Sequence, residues 1–548
     1  MREDISGWSI LWDEGRARQL KAKGIWAGKT IADYADAMLA ATPDRVLVIE
    51  RETEHTVRTL HAESRRLARA LIQRGYRPGD TVSFQLPNWY EAVIVNLAAA
   101  MAGLVVQPLV PIYRDAEVGF MLADSRSKLI FIPASFRGFD YKAMMRRLLP
   151  GLPRPVEVVV LRGQADEFLD YRALLDSADE ATQLPRVDPD AIKMIMYTSG
   201  TTGRAKGVLH SHNSLQAENW MRLTHLGLTP DDVMFNPSPV THATGALYSL
   251  CLPFTVGITT VMLDAWDAPL ALDMMRRRRV TGIVAATIFL QGLVDEAKRQ
   301  GEHLPALRFF LCGGAQVPPD LIREAGRVFS NCVVSRIYGS TEAPCITAGV
   351  NTRSLVDEGA ETDGEVWHSE VRIVDPVDGS PVPMGHEGEI ITRAPQLFLG
   401  YAHAEDNDDA FDPDGFFRMG DLGRLTENRF VTVTGRKKDL IIRAGENISP
   451  KEIEDILFNH PAIADIAIVA MPHPRTGEAA CAFIVLRPDQ SLDLADVARF
   501  LDDAGVARQK IPERLEIVEE FPRTSVGKVR KDQLRQIIKD KIASEARQ

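Results

Sequence analysis

Thr198-Ser199-Gly200-Thr201-Thr202-Gly203-Arg204-Ala205-Lys206-Gly207 packs hydroxyls, glycines and one lysine into a single short stretch. This is the composition of a phosphate cradle. Glycines admit positive φ and close approach to an anion, while hydroxyls, backbone N–H groups and Lys206 supply donors. The spacing is not that of a Walker loop, because Gly200 and Gly203 enclose only two residues and Gly207, not a hydroxyl residue, follows Lys206. On composition alone a bland Ser/Thr/Gly-rich surface loop reads equally well. The apolar runs Met194-Ile195-Met196-Tyr197 before it and Gly207-Val208-Leu209-His210 after it predict strand-loop-strand, with a helix only from about Asn213-Ser214. A Walker loop opens straight into its helix.

Outward from this stretch, helical periods alternate with short apolar runs. Leu60, Leu67, Leu71 and Ile72 share one face of a helix over 60–74, Gly79-Asp80 turns into a strand over 81–86, Pro87-Asn88 opens a helix through Met101, and a strand follows over 105–109. On the other side strands are expected over 256–263, 282–287, 307–312 and 333–337, with a helix over 268–279. The alternation predicts a large α/β domain with mostly parallel sheets. Two of those strands end in Gly313-Gly314-Ala315 and Tyr338-Gly339-Ser340-Thr341-Glu342, and open α/β sheets bind ligands beyond the carboxyl ends of their strands. The four arginines Arg276 to Arg279 read as a solvated helix end favoured by the helix dipole.

Composition narrows the classes. At 548 residues the chain exceeds what one core usually serves, so two or more domains are expected. The formal charge of −11 (64 basic minus 75 acidic residues) gives no global attraction to nucleic acid. Five scattered cysteines without a C-x-x-C pair suggest neither a disulfide framework nor a zinc site and point to a reducing, cytoplasmic setting. The charged residues of positions 1–16 leave no apolar core for a secretory signal, and the run from Ala92 to Val106 is too short to span a bilayer, reading instead as a buried helix entering a buried strand. From Asp375 to Gly423 the chain turns rich in Gly, Pro and Asp, with short hairpin-like strands that suggest a small barrel-like subdomain. After Asp439 a new pattern begins: a helix over 450–458, strands over 466–470 and 482–486, a helix over 494–502, a strand over 515–518 and a terminal basic helix. Domains are therefore placed at 1–435 and 436–548, the second a small α+β domain.

These segments together resemble the adenylate-forming superfamily of acyl-CoA synthetases, luciferase-type enzymes and peptide-synthetase adenylation domains. The elements stand in family order: TSGTTGRAKG at 198, PVTHATG at 239, GGA at 313, YGSTEA at 338, GEIITRAPQLFLGY at 388, MGDLG at 419, GRKKDLIIRAGENISPKEIE at 435 and PRTSVGKVRK at 522. The resemblance implies an AMP-forming acid:CoA ligase using ATP, Mg²⁺ and CoA, and it assigns roles residue by residue. Thr198, Ser199, Thr201, Thr202 and Lys206 would hold the β- and γ-phosphates, with Gly200 and Gly203 letting the loop close. Thr341 would contact the α-phosphate and Glu342 ligate the metal; Gly313, Gly314, Ala315, Tyr338 and Gly339 would form the adenine slot, and Asp421 and Arg436 meet the ribose. Lys528 would bridge carboxylate and α-phosphate during adenylation, Lys438 would be the hinge between the two half-reactions, and Gly445 and Glu446 would line the CoA tunnel, with His242 at its inner end as a further catalytic candidate.

His242, Gly245, Ala286, Thr287, Gly314 and Ala343 would border the acid. Ser238 to Leu247 contains no carboxylate to pair with a substrate ammonium, which disfavours an amino acid; separately, the overall pattern resembles the medium-chain and alicyclic or aromatic acyl-CoA ligases, such as cyclohexanecarboxylate-CoA ligase, and implies an acid of that class. The expected partners are the small acid, ATP and CoA, with a homodimer as an option and no nucleic acid or integral membrane segment. Two alternatives stand beside this reading: transfer to a carrier-protein phosphopantetheine, and a non-catalytic relative that binds without reacting. Met419 departs from the threonine usual before Gly-Asp, and Ala286-Thr287-Ile288 replaces a segment that often carries proline.

Overall fold

A computed structural model describes residues 1–198, 204–314, 317–443, 446–523 and 528–545, with the backbone alone at 446 and 447. The alternation of helices and strands builds two seven-stranded sheets. The first runs Leu169–Asp170, Glu157–Leu161, Leu129–Pro133, Thr81–Phe84, Val105–Pro108, Ile192–Thr198, Lys206–Ser211. Its neighbours are parallel except the last pair, an antiparallel hairpin at the sheet edge. The second runs Val333–Arg336, Phe309–Cys312, Gly282–Ala285, Val233–Asn236, Thr259–Met262, Val46–Glu50, Thr53–Thr56, again parallel up to a final hairpin.

The helix Tyr90–Ala102 is buried at twelve of its thirteen positions and stops on Gly103 at φ 70°, a left-handed cap that glycine adopts without strain. It is the buried helix expected from the run at 92–106, and it feeds the strand Val105–Pro108. One apolar core joins Val82, Phe84 and Met194 of the first sheet to Leu47, Met234 and Leu311 of the second, with this helix and its neighbour Val57–Gln73 filling the shared space. Each such fully buried aliphatic side chain contributes about 1.5–3 kcal/mol over an exposed one. A polar staple adds to it. Arg162, just past a strand of the first sheet, donates at 2.7 Å to both oxygens of Glu50, at the end of a strand of the second, and at 2.8 and 2.6 Å to Glu91 in the first turn of the buried helix.

Two expected boundaries move. The stretch 256–263 divides into the end of the helix Leu252–Val256, a turn at Gly257 (φ 84°) and the strand Thr259–Met262. The strand expected over 282–287 stops at Ala285, because Thr287 already opens the helix Thr287–Gln300. Arg276, Arg277 and Arg278 form surface ion pairs with Asp273, Glu52 and Glu54, each worth about 0–1 kcal/mol. All five cysteines are free thiols, and burial raises the pKa of every one. Among the described residues no helix is long and apolar enough to cross a membrane.

The chain divides into two compact units, Met1–Glu370 with Arg393–Phe416, and Val371–Thr392 with Phe417–Gln548. In the second, Glu370–Val374, Gly388–Arg393, Phe417–Leu425 and Val431–Arg436 form a four-stranded sheet in that order, the last three antiparallel. A further sheet is built on the long hairpin Ile463–His473 and Gly477–Leu486, with Ile441–Arg443 and Glu446–Ile448 antiparallel and Arg514–Ile517 parallel. Its core is Ile441, Ile453, Leu457, Ile468, Ile484 and Leu501.

Candidate active site

The Ser/Thr/Gly stretch joins the two strands of the edge hairpin of the first sheet in sequence. Thr198 and Lys206 face each other as the last pair of the ladder, while Ser199, Gly200, Thr201, Thr202 and Gly203 lie outside the described residues. The hairpin's outer strand is continued by residues 399–402: Leu399 N donates to Leu209 O at 2.7 Å, Leu209 N to Gly400 O at 3.1 Å and Ala402 N to Gly207 O at 2.8 Å. Position 207 is glycine for a steric reason, since a Cβ there would come within 2.9 Å of Ile195 and 3.1 Å of Ala402. The same added segment starts from the other key motif, with Phe398 N donating to Glu342 O at 2.8 Å.

This arrangement brings Tyr401 into the site. Its hydroxyl donates to Glu342 Oε1 at 3.0 Å, its ring lies 4.9 Å from Lys206 Nζ, and Thr198 Oγ1 donates to the same Glu342 oxygen at 3.3 Å. Burial, and then the Glu342 charge, hold the phenol far above its usual range, so it serves as a fixed donor. Lys206 Nζ pairs with Asp406 Oδ1 at 3.1 Å. Thr341 is held from behind: His210 Nε2 donates to Thr341 O at 2.8 Å, and burial lowers that histidine's pKa to about 4. A neutral ring that donates through Nε2 must accept through Nδ1, so the Ser214 hydroxyl, 3.1 Å away, is the donor there.

The second sheet contributes three strand ends in register, Ala285 beside Cys312 beside Arg336. Ala286, Thr287, Gly313, Gly314, Tyr338 and Gly339 therefore emerge side by side at the carboxyl edge of one parallel sheet, where such sheets bind ligands. The fit is tight. Gly313 N donates to Ala285 O at 3.2 Å, a Cβ on Gly313 would meet Ile337 O at 2.5 Å, and a Cβ on Gly339 would overlap Cys345 N. Gly314 holds φ 83°, and Ala315 lies outside the described residues. Ser340 and Ala343 close a turn around Thr341 and Glu342, with Ser340 N donating to Ala343 O at 3.1 Å and Ala343 N to Ser340 Oγ at 3.2 Å. The backbone N–H of Tyr338 donates to Thr347 Oγ1 at 2.7 Å.

His242 is half-buried at the start of a helical segment whose Gly245 packs against Pro239 O with no room for a Cβ. The loop before it is clamped by Asn88, which donates to Ser238 O at 3.0 Å and accepts from Val240 N at 2.8 Å. From Ala246 to Cys251 the backbone widens into a π-helix, a local irregularity frequent at functional sites.

In the second unit Asp421 and Arg436 are cross-strand partners, with Arg436 Nε 3.0 Å from Asp421 Oδ1. Lys438 lies in the short turn Lys437–Asp439, its ammonium pKa lowered by burial and then by Arg436. Lys528 is exposed beside the bridge between Arg523 and Val529; the intervening Thr524 to Gly527 lie outside the described residues, as do Gly445 and the side chain of Glu446. The sequence reading missed Tyr401 as a contact of Glu342, together with His210, Asn88 and Asp406. The Gly400-Tyr401 pair was visible as part of a motif, but its partner is 59 residues away.

An AMP-binding enzyme family model matches residues 35–402, and a model of the AMP-binding enzyme C-terminal domain matches residues 452–528. The chain is 34% identical over 551 residues to the medium-chain fatty-acid–CoA ligase of Escherichia coli (strain K12), covering 99% of this chain and 96% of that protein. It is 30% identical over 543 residues to the 2,3-dihydroxybenzoate-AMP ligase of Bacillus subtilis (strain 168), covering 97% and 98%. Among solved structures, ATP-bound MatB from Rhodopseudomonas palustris superposes with a TM-score of 0.83 at 28% identity, covering 93% of this chain and 99% of that one.

Proposed function

The chain belongs to the AMP-binding enzyme family of adenylate-forming acid ligases, and on that premise we propose that it is an ATP-dependent acid:CoA ligase acting on a medium-chain, alicyclic or aromatic acid. A carboxylate resists thiol attack because its leaving group would be oxide. In the first half-reaction a carboxylate oxygen attacks the α-phosphorus of ATP and the bond to the β-phosphate oxygen breaks, releasing pyrophosphate and leaving acyl-AMP. In the second the CoA sulfur attacks the acyl carbon, AMP departs with the shared oxygen, and the thiol proton is lost.

The observation that carries this reading is the gathering of Thr198, Lys206 and Glu342 around Tyr401 at the root of the loop. Lys206 and Thr198, with residues 199–203, hold the pyrophosphate half of ATP, and Thr341 meets the α-phosphate. Glu342 receives both hydrogen bonds on Oε1, leaving Oε2 without a partner among the described residues, and one carboxylate plus phosphate oxygens is a donor set suited to Mg²⁺. When bound, that ion would neutralise charge on the phosphates. Tyr338, Gly313 and Gly314 face the adenine, Asp421 and Arg436 the ribose, and His242, Gly245, Ala286, Thr287 and Ala343 the acid. Residues 436–548 act as a lid that turns about Lys438, presenting Lys528 for adenylation and the segment at 445–446 for the thiol.

The test is a panel of carboxylic acids scored for AMP release. The expected result is release that needs ATP, a medium-chain, alicyclic or aromatic acid, and free CoA. Acid-dependent pyrophosphate exchange without CoA turnover would favour the carrier-protein alternative; absence of exchange with every acid would favour a non-catalytic relative. Lys206→Ala should weaken adenylation, read as pyrophosphate exchange, and spare thioester formation from supplied acyl-AMP, because the pyrophosphate handle has no part in the second step. An unchanged exchange rate in that variant would remove Lys206 from the site.

A further inference from the structure

Lys206 has a carboxylate partner already. Asp406 lies in the short turn Ala404–Asn407 just past Tyr401, with its side chain 11% exposed, and it holds two cations at once: Lys206 Nζ at 3.1 Å from Oδ1 and Arg204 Nη2 at 2.9 Å from Oδ2. The two cations flank the carboxyl-terminal root of the phosphate loop. The turn is itself fixed, since Asn407 Oδ1 accepts from Tyr401 N at 2.9 Å. Asp406 thus stands at a set distance from the cations, on the same segment that sets Tyr401 against Glu342.

We propose that Asp406 is a placeholder anion, which neutralises Lys206 and Arg204 before nucleotide arrives and is displaced from Lys206 by the polyphosphate. This rests on the reading of Lys206 as a phosphate ligand. A lysine left unpaired at a half-buried position would cost desolvation and attract adventitious anions. Pairing with Asp406 removes that cost, and the polyphosphate must then compete with a carboxylate for the same ammonium. Asp406 is a positioning residue: it weakens nucleotide binding, and by the same competition it speeds departure of pyrophosphate after adenylation.

The experiment compares Asp406→Asn, Lys206→Ala and the double variant in the full-length protein, measuring binding of Mg-ATP and of Mg-pyrophosphate together with KM and kcat for acid-dependent pyrophosphate exchange. Asn keeps the shape and the acceptor oxygen but removes the charge. The expected result is binding of both anions tightened by about 3- to 10-fold in Asp406→Asn, as suits release from a partly exposed ion pair. KM for ATP should fall with it, kcat should not rise, and Asp406→Glu should return the affinity toward that of the parent protein. The tightening should vanish in the double variant, because the effect acts through Lys206. If Lys206→Ala weakens binding while Asp406→Asn leaves it unchanged or weaker, the placeholder role is overturned and Asp406 merely orients the lysine. If Lys206→Ala changes nothing, the phosphate reading of Lys206 fails, and the placeholder role with it. A thermal melt of each variant separates these outcomes from misfolding.

Discussion

Replacing Lys528 by alanine is expected to lower adenylation by about 10²- to 10³-fold, the usual cost of losing one preorganised charge contact at a centre where charge develops. Formation of the CoA thioester from supplied acyl-AMP should continue, because in the proposed reading Lys528 serves only the first step and the α-phosphate is by then part of a leaving group. Lys528 is exposed, next to the bridge that joins Val529 to Arg523, and Arg530 N donates to Pro522 O at 2.7 Å. Truncating an exposed side chain there removes little packing, so the melting temperature should stay near that of the parent. Acid-dependent pyrophosphate exchange reads the first half-reaction and thioester formation from acyl-AMP reads the second. Equal losses in both would show that Lys528 does not act at the first step alone.

A second large effect concerns stability. Lys193, on the strand that leads to the phosphate loop, is 1% exposed, and among the described residues its ammonium has only the carbonyl and side-chain oxygens of Asn96 to receive its hydrogen bonds, at 3.1 and 2.9 Å. Burial lowers its pKa to about 8 from an ordinary 10.5. Its charge couples to His212, with a pKa lowered by burial and then by the lysine, and to Cys251, whose thiol burial pushes up to about 11, and both are neutral at pH 8. Proton counts set the sign. Below pH 8 folded and unfolded chains both carry the proton; between pH 8 and 10.5 only the unfolded chain does, so stability rises with pH through that window and is lost as pH falls back to 8. The size is about 3 kcal/mol for a shift of this extent. Lys193→Met keeps the volume, abolishes the titration and leaves Asn96 Oδ1 short of a donor, an offset that does not vary with pH. The difference in urea-unfolding free energy between parent and variant should therefore change by about 3 kcal/mol from pH 8 to 10.5, with the thiol titrations common to both cancelling. Parallel pH profiles would refute the account.

The legible parts of this chain are those where chemistry and local conformation coincide. The edge hairpin is readable because apolar runs flank a glycine-rich stretch, and the strand ends at 285, 312 and 336 because each gives way to small residues. The long hairpin Ile463–His473 and Gly477–Leu486 shows in the sequence only at its most apolar parts, over 466–470 and 482–486, because its outer ends carry Asp465, Pro472, His473 and Glu478. The amino-terminal arm is invisible for a different reason. Its strands Arg2–Glu3 and Ser9–Ile10 are too short for any periodicity, and it is held by scattered contacts, with Asp4 Oδ1 accepting from Ile192 N at 3.2 Å and Leu11 N donating to Leu399 O at 2.7 Å. The helix His212–Leu226 is legible at its start alone, yet eleven of its fifteen residues are buried, among them Glu218 and Arg222, paired at 2.8 Å. No alternation of apolar and polar residues announces a buried polar helix. In the site, Tyr401 and His210 act through long-range pairings to Glu342 and Thr341 that a linear reading cannot join.

On the proposed assignment the two seven-stranded sheets also divide the substrates between them. In the proposed reading the pyrophosphate end of ATP is gripped by the edge hairpin of the first sheet, and the acid is bordered largely by residues just past the parallel strands of the second. Residues after Ala285, or around Gly245, can therefore change without disturbing Lys206 or the glycine that packs beside it. Such a scaffold can inherit its energy source unaltered while its choice of acid drifts, and each new specificity is then a matter of a few strand-end replacements rather than a rebuilt catalyst.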